Sequence, residues 1–165
     1  MDDVLAVLSR EQRALEQLLF RLHHVRTVLL AADERFLAMA AEELEVAAET
    51  VRELDACRAV VVDRAPATTL RSLAECAREP ASSLLHEHRA SLGRLAAEVG
   101  ALLESAQELA TERLAELEGA RPRRRCAPRR AVGDDLDRAI AEAGYESVLA
   151  ASSSLRLPAL VSFLA

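Results

Sequence analysis

Apolar residues recur at alternating spacings of three and four along most of this chain, the pattern of amphipathic helices that each bury one stripe. The first stripe runs through Val4, Leu8, Leu15, Leu18, Leu22, Val25 and Leu29, interrupted only by Glu11. It predicts a long helix over residues 3–31, with Ala31-Ala32-Asp33 placed to bend the chain after it. A second stripe follows through Leu37, Ala40, Leu44, Ala47, Val51, Leu54 and Val61. Arg58 breaks this stripe and is assigned to the edge of the bundle. The third stripe is the most regular: Leu85, His88, Leu92, Leu95, Val99, Leu102, Ala106 and Leu109, continued in a shifted register by Leu114 and Leu117.

The breakers divide these segments. Pro66 ends the second helix, because proline disfavours helix at the residue before it. Thr68 or Thr69 then caps a short helix that runs through Ala77. Pro80 suits the first turn of the third long helix, and Gly119 its C-terminal cap. Gly93 and Gly100 weaken that helix by roughly 1 kcal/mol each relative to Ala, and they suit close packing or adaptation to a guest. Residues 120–133 carry prolines, six arginines and few apolar groups, which predicts a flexible linker. Asp134 or Asp135 then caps a helix from about Leu136 to Ser154, and Pro158 separates it from a short apolar end. The expected fold is all-α: an antiparallel bundle of three long helices with a short connecting helix, plus a tethered C-terminal helix. The expected parts are a bundle over 1–119, the linker over 120–133 and an amphipathic tail over 134–165. No repeat of 20–50 residues suggests a solenoid.

Composition supports helices. About half of the 165 residues are hydrophobic but only 2% are aromatic, with Ala and Leu dominant. Charge is uneven: −9 over residues 1–119, +6 over 120–131 and −3 over 132–165. The acidic body argues against nucleic acid as the main partner. The arginine run lacks interleaved aromatics and is taken as a solvated tether. Cys57, Cys76 and Cys126 are odd in number and far apart, so neither a disulfide framework nor a structural zinc site is expected. Cys57 and Cys76 are taken as buried structural thiols. Met1-Asp2-Asp3-Val4 has no basic leader, and no apolar run reaches about 18 residues. A cytoplasmic chain without a membrane helix is expected.

Candidate chemistry is sparse. His23 and His24 are adjacent, and His86 and His88 are two apart, so neither pair shares a helix face as metal ligands would. There is no phosphate-binding glycine loop and no zinc-protease motif. No cofactor, no metal and no catalytic residue is assigned, and the chain is expected not to be an enzyme.

The last 21 residues carry the most specific signal. Tyr145-Glu-Ser-Val-Leu149-Ala150-Ala151-Ser, followed by Leu155, Pro158, Leu160-Val161 and Phe163-Leu164-Ala165, resembles the C-terminal end of hook–filament junction proteins of the FlgL family. The body resembles another family, the FlgN-like flagellar type III export chaperones, over residues 1–118. That resemblance rests on the order and lengths of the helices. It also rests on Leu29-Leu-Ala-Ala-Asp33-Glu-Arg-Phe36-Leu37 leading into Leu44, Val51 and Leu54, and on the connector from Thr69 to Pro80. In that family the C-terminal helix of the chaperone binds the C-terminal peptide of junction proteins, which here implies the helix of residues 82–118.

The resemblance therefore implies a client-binding groove of Leu84, Leu92, Leu95, Val99, Leu102, Leu103, Ala106, Leu109 and Leu114. Leu84, Leu103 and Leu114 lie off the main stripe and form its second face. The client-like tail presents Tyr145, Val148, Leu149, Leu155, Leu157, Leu160, Val161, Phe163 and Leu164, with Tyr145 and Phe163 as main anchors. The implied function is binding without chemistry, covering an amphipathic helix before export. Implied partners are junction-protein tails in cis or in trans and the export apparatus, and tail exchange between two chains would give a homodimer. The alternative is a coiled-coil scaffold whose apolar tail drives self-assembly. A flexible linker of 14 residues spans roughly 20 Å, against about 57 Å for the third long helix. The tail is thus expected to fold back antiparallel along the C-terminal half of that helix.

Overall fold

The structure, a computed structural model, describes residues 2–64, 67–119, 131–155 and 157–165. Those residues form α1 (Asp2–Ala31), α2 (Leu37–Asp63), α3 (Leu70–Cys76), α4 (Ala81–Gly119), α5 (Ala131–Ser154) and α6 (Pro158–Leu164), with a single 3-10 turn at Glu34–Phe36. Among the described residues there is no strand, and the chain is the all-α bundle its periodicity predicts. Pro66, Cys126 and most of the proposed linker, residues 120–130, lie outside the described residues. Residues 131–133, assigned to that linker, are instead the first turn of α5.

The first two helices form a hairpin whose turn follows from backbone hydrogen bonding. Ala32 has φ of 50°, in the left-handed region. Its N–H bonds to the Leu29 carbonyl at 3.2 Å, and that of Asp33 reaches the Val28 carbonyl at 3.3 Å. This pair of bonds closes the last helical turn and satisfies carbonyls that would otherwise lack partners. At the start of α3, Thr69 Oγ1 accepts the Ser72 N–H at 3.2 Å, as its sequence position predicts. Ser82 then donates to the Ala74 carbonyl at 2.8 Å and fixes α3 against the start of α4.

Contacts between helices define their directions. Arg21 meets Glu43 and Glu11 meets Arg58, so α1 and α2 are antiparallel. His88 lies within 3.4 Å of Ser9, and Arg26 within 3.3 Å of Ser105, so α1 and α4 run parallel. Both α1 and α5 pack against α2 and α4, which therefore occupy opposite corners of a four-cornered bundle. The connection from α2 to α4 crosses that diagonal. Here α5 is the fourth wall and not an appendage. α6 packs across α4 and α3 at the far end.

Leu8, Leu15, Leu18, Leu22, Leu44, Leu70, Leu73, Leu85 and Leu92 are fully buried in one continuous core that also contains Tyr145 and Val148. Nothing lies within 4 Å of a Cβ built on Gly93 or Gly100, so neither serves close packing. Gly144 does: a Cβ there would stand 3.1 Å from Leu37 Cδ2. Leu136–Leu164 is the one stretch among the described residues long and apolar enough to cross a membrane. It qualifies because helical length tolerates scattered polar residues, whereas an uninterrupted apolar run does not. In this fold it is broken between Ser154 and Pro158, and its buried side chains belong to the bundle core.

These backbone features predict opposite signs. Ala32→Gly relieves left-handed strain and should raise stability by about 0.5–1 kcal/mol. Gly93→Ala and Gly100→Ala should each add up to about 1 kcal/mol. Gly144→Leu should cost about 1–3 kcal/mol by overpacking against Leu37. Urea midpoints at constant m-value measure all four.

Candidate functional site

The apolar residues of α5 and α6 repeat at helical spacing. Ala141, Tyr145, Val148, Ala151 and Leu155 form one stripe, and Leu160, Phe163 and Leu164 continue it. All are buried, those of α5 between walls supplied by α2 and α4 and those of α6 against α4 and α3. The absence of a side chain at Gly144 brings α5 against Leu37 of α2. Tyr145 is 1% exposed, and its neighbours include Glu34, Arg113 and Glu116. Burial pushes the phenol above its ordinary pKa, with Glu34 adding to the rise and Arg113 opposing it. Tyr145 near Arg113 and Leu164 against Arg89 make the tail antiparallel to α4, the direction expected. Its extent is greater than expected: α6 carries it past the C-terminal half of α4 to Arg89 in the third turn.

Three arginines hold the end of this segment. Arg52 donates to Ser154 Oγ at 2.8 Å while pairing with Glu45 at 2.7 Å and with Glu49. Arg89 Nε donates to the Leu164 carbonyl at 2.6 Å. Arg58 lies over the Phe163 ring, 4.5 Å from its centroid. Beneath that ring Arg58 Nε bonds Glu11 Oε1 at 3.1 Å, and a second guanidinium nitrogen bonds Asp55. Arg58 is thus 6% exposed, not at the bundle edge, because Glu11 (0% exposed) neutralises it inside the core. Glu11 Oε2 is buried without a protein hydrogen-bond partner. A cavity of about 80 Å³ adjoins the pair, lined by Val51, Arg52, Leu155, Leu157 and Leu160 besides the two carboxylates.

Of the nine groove residues assigned from sequence, Leu92, Leu95, Val99, Leu103 and Ala106 are buried, and Leu102, Leu109 and Leu114 pack half-buried on the same core. Leu84 is 41% exposed and belongs to no such contact, since Leu85 beside it takes the inward position. On the tail, Tyr145, Val148, Leu155, Leu160, Phe163 and Leu164 are buried, and Leu149 and Leu157 are half-buried. Val161 is 55% exposed, because the inward set at 160, 163 and 164 turns position 161 outward. The α2 wall, with Leu37, Arg52 and Arg58, is absent from that sequence-based assignment. Its available signal was the pair of opposite charges interrupting two stripes, Glu11 22 residues before Asp33 and Arg58 25 after it. Folded at that turn, the two breaks fall side by side.

Other candidate groups are scattered. Cys57 and Cys76 are exposed, not buried, since each lies off the inward stripe of its helix. Half-buried His88 bridges α1 and α4 through Ser9 and Gln12, the latter at 3.3 Å. Among the described residues no three His, Cys, Asp or Glu side chains converge as metal ligands.

Phe163→Asp or Leu160→Asp should weaken docking of α5–α6 by at least about 100-fold, since each loses apolar burial and introduces a charge. His86→Ala should leave docking unchanged. Hydrogen exchange of the α5 and α6 amides reads both. Glu11 supplies a pH signature. Burial raises its pKa above the ordinary value against the pull of Arg58, with Asp55 adding to the rise. The folded chain then holds this proton more tightly than the unfolded chain. The contribution of Glu11 to stability should therefore fall as pH rises from the ordinary glutamate value through the raised one, and level off above it. Unfolding midpoints of the natural chain and Glu11→Gln across that range should differ by this trend.

No protein-family profile, no curated protein and no solved structure matches this chain.

Proposed function

We propose that residues 1–119 form a helix-binding chaperone of the flagellar export type, with residues 134–165 acting as an intramolecular stand-in for a client. The observation carrying this reading is the seating of an amphipathic C-terminal segment antiparallel to α4, with α5 between α2 and α4 and α6 across α4 and α3. The client would be the C-terminal helix of a hook–filament junction protein, kept from premature assembly in the cytoplasm until export. The work is binding without bond chemistry. Burying Tyr145, Val148, Leu160 and Phe163 stabilises the docked state by roughly 1.5–3 kcal/mol per large side chain, against the entropy of ordering the segment. A scaffold that self-assembles through its tail would leave this apolar stripe free for another copy. The cis-seated stripe favours the chaperone reading.

A tethered segment competes at an effective concentration of about 1 mM. A free client of equal intrinsic affinity would therefore fill few grooves at micromolar concentration. Cutting the chain between residues 120 and 130 removes that advantage. The cut protein should stay helical with its tail fragment bound, and a junction-protein C-terminal peptide should displace that fragment with micromolar or better affinity. Failure of such peptides to displace it overturns the proposal. Unfolding of residues 1–119 on loss of the fragment would instead make α5–α6 an integral fourth helix and overturn it equally.

A further inference from the structure

We propose that the buried Glu11–Arg58 pair selects the guest of this groove, admitting helices that place an aromatic ring where Phe163 lies and discriminating against aliphatic residues there. The inference rests on the proposed groove function and names the chemistry of its ligand.

The placement of rings motivates it. The chain has four aromatic residues, Phe20, Phe36, Tyr145 and Phe163. The two in the body stay 63% and 45% exposed, whereas Tyr145 and Phe163 are 1% and 5% exposed. The body core is therefore aliphatic, and rings enter it only from the tail. Phe163 meets the guanidinium at 4.5 Å, closer than the exposed pairs Arg21–Phe20 at 5.4 Å and Arg35–Phe36 at 5.5 Å. Cation–π attraction is strongest when both partners are desolvated, as Arg58 and Phe163 are.

The pair belongs to the body and not to the tail. Glu11 comes from α1, and Arg58 and Asp55 from α2, so the carboxylates orient the guanidinium whatever occupies the groove. They bond the edge of the guanidinium, which leaves a planar face for a ring to cover. A leucine would cover that face by contact alone, without the ring quadrupole. As a structural device the pair is a poor choice, because an apolar pair of similar volume is commonly as stable or more so. As a reader of aromatic side chains it does what an apolar pair would not.

A cycle in the full chain tests the contact. Phe163→Leu should raise the opening of α6, read by native-state hydrogen exchange, by about 30-fold when the natural pair is present. In the Glu11→Leu/Arg58→Met background the same change should raise it only about 3-fold, as expected for a small loss of apolar area. Glu11→Gln/Arg58→Gln provides a second background should the apolar one fail to fold. Equal effects of Phe163→Leu in natural and altered backgrounds overturn the inference. Competition then tests selection in trans. Synthetic 134–165 peptides carrying Phe, Tyr or Leu at position 163 are titrated against the chain cut between 120 and 130. Phe and Tyr peptides should displace the resident fragment about 30-fold better than the Leu peptide. Equal displacement by all three sinks the selectivity and leaves the groove standing. No displacement by any of them removes the groove reading and this inference together.

Discussion

Apolar surface on two sides of α2 and α4 is the constraint from which the rest of the architecture follows. Each of these helices packs against α1 on one flank, yet they stand at opposite corners and do not close on each other. Without α5, a body of α1, α2 and α4 would have an open fourth corner lined largely by aliphatic side chains. Leaving it to water is unfavourable in proportion to its area, so something amphipathic must lie there. In this chain α5 does so, and its near-absent side chain at Gly144 lets it approach α2 at Leu37. The same geometry that makes the bundle would make the proposed groove.

Charge inside that bundle is arranged to be tolerable and not to be strong. Glu11 and Arg58 interrupt otherwise apolar stripes, and each would be costly alone in a core. Their pairing makes the interruption bearable, while one carboxylate oxygen remains without a protein partner. Arg52 and Arg89 differ: they reach from partly exposed positions to Ser154 and to the Leu164 carbonyl. They add direction and register at the end of the tail, where apolar contact alone would permit sliding by a turn.

How much of this was legible in the sequence depends on the range of the interaction. Local signals read well: the stripe of α1, Thr69 as a cap, Tyr145 and Phe163 as buried anchors, and the stripes of α2 and α4 except at Ala47, Leu102 and Leu109, which are half-buried while the next residues, Ala48, Leu103 and Ala110, are buried. Each depends on neighbours three or four positions away. Relations across the bundle did not. Arg58 reads as an edge residue because its partner is 47 positions distant. Leu84 reads as a groove contact and Val161 as a docking face of the tail because hydrophobicity was counted without the phase that Leu85 and Leu160 impose. Cys57 and Cys76 read as buried because their stretches are apolar, though their own positions face outward. The proposed groove was placed on one helix because the family resemblance implied that helix alone, and periodicity, which reports the face a helix hides, does not say which two helices flank α5.

The helix of the seated segment stops at Ser154 and restarts at Pro158, leaving a long and a short piece, and in the proposed chaperone this would shape how occupants change places. α6 is a single short helix of seven residues, held at one end of the bundle by Arg58 and Arg89. A piece of that size frays far more readily than the 24-residue α5. An incoming helix would gain a foothold on the vacated end while the resident still covers the rest. Turnover by such invasion accelerates with the concentration of the newcomer, whereas turnover by prior departure does not. The core would then never be bare to solvent during a hand-over.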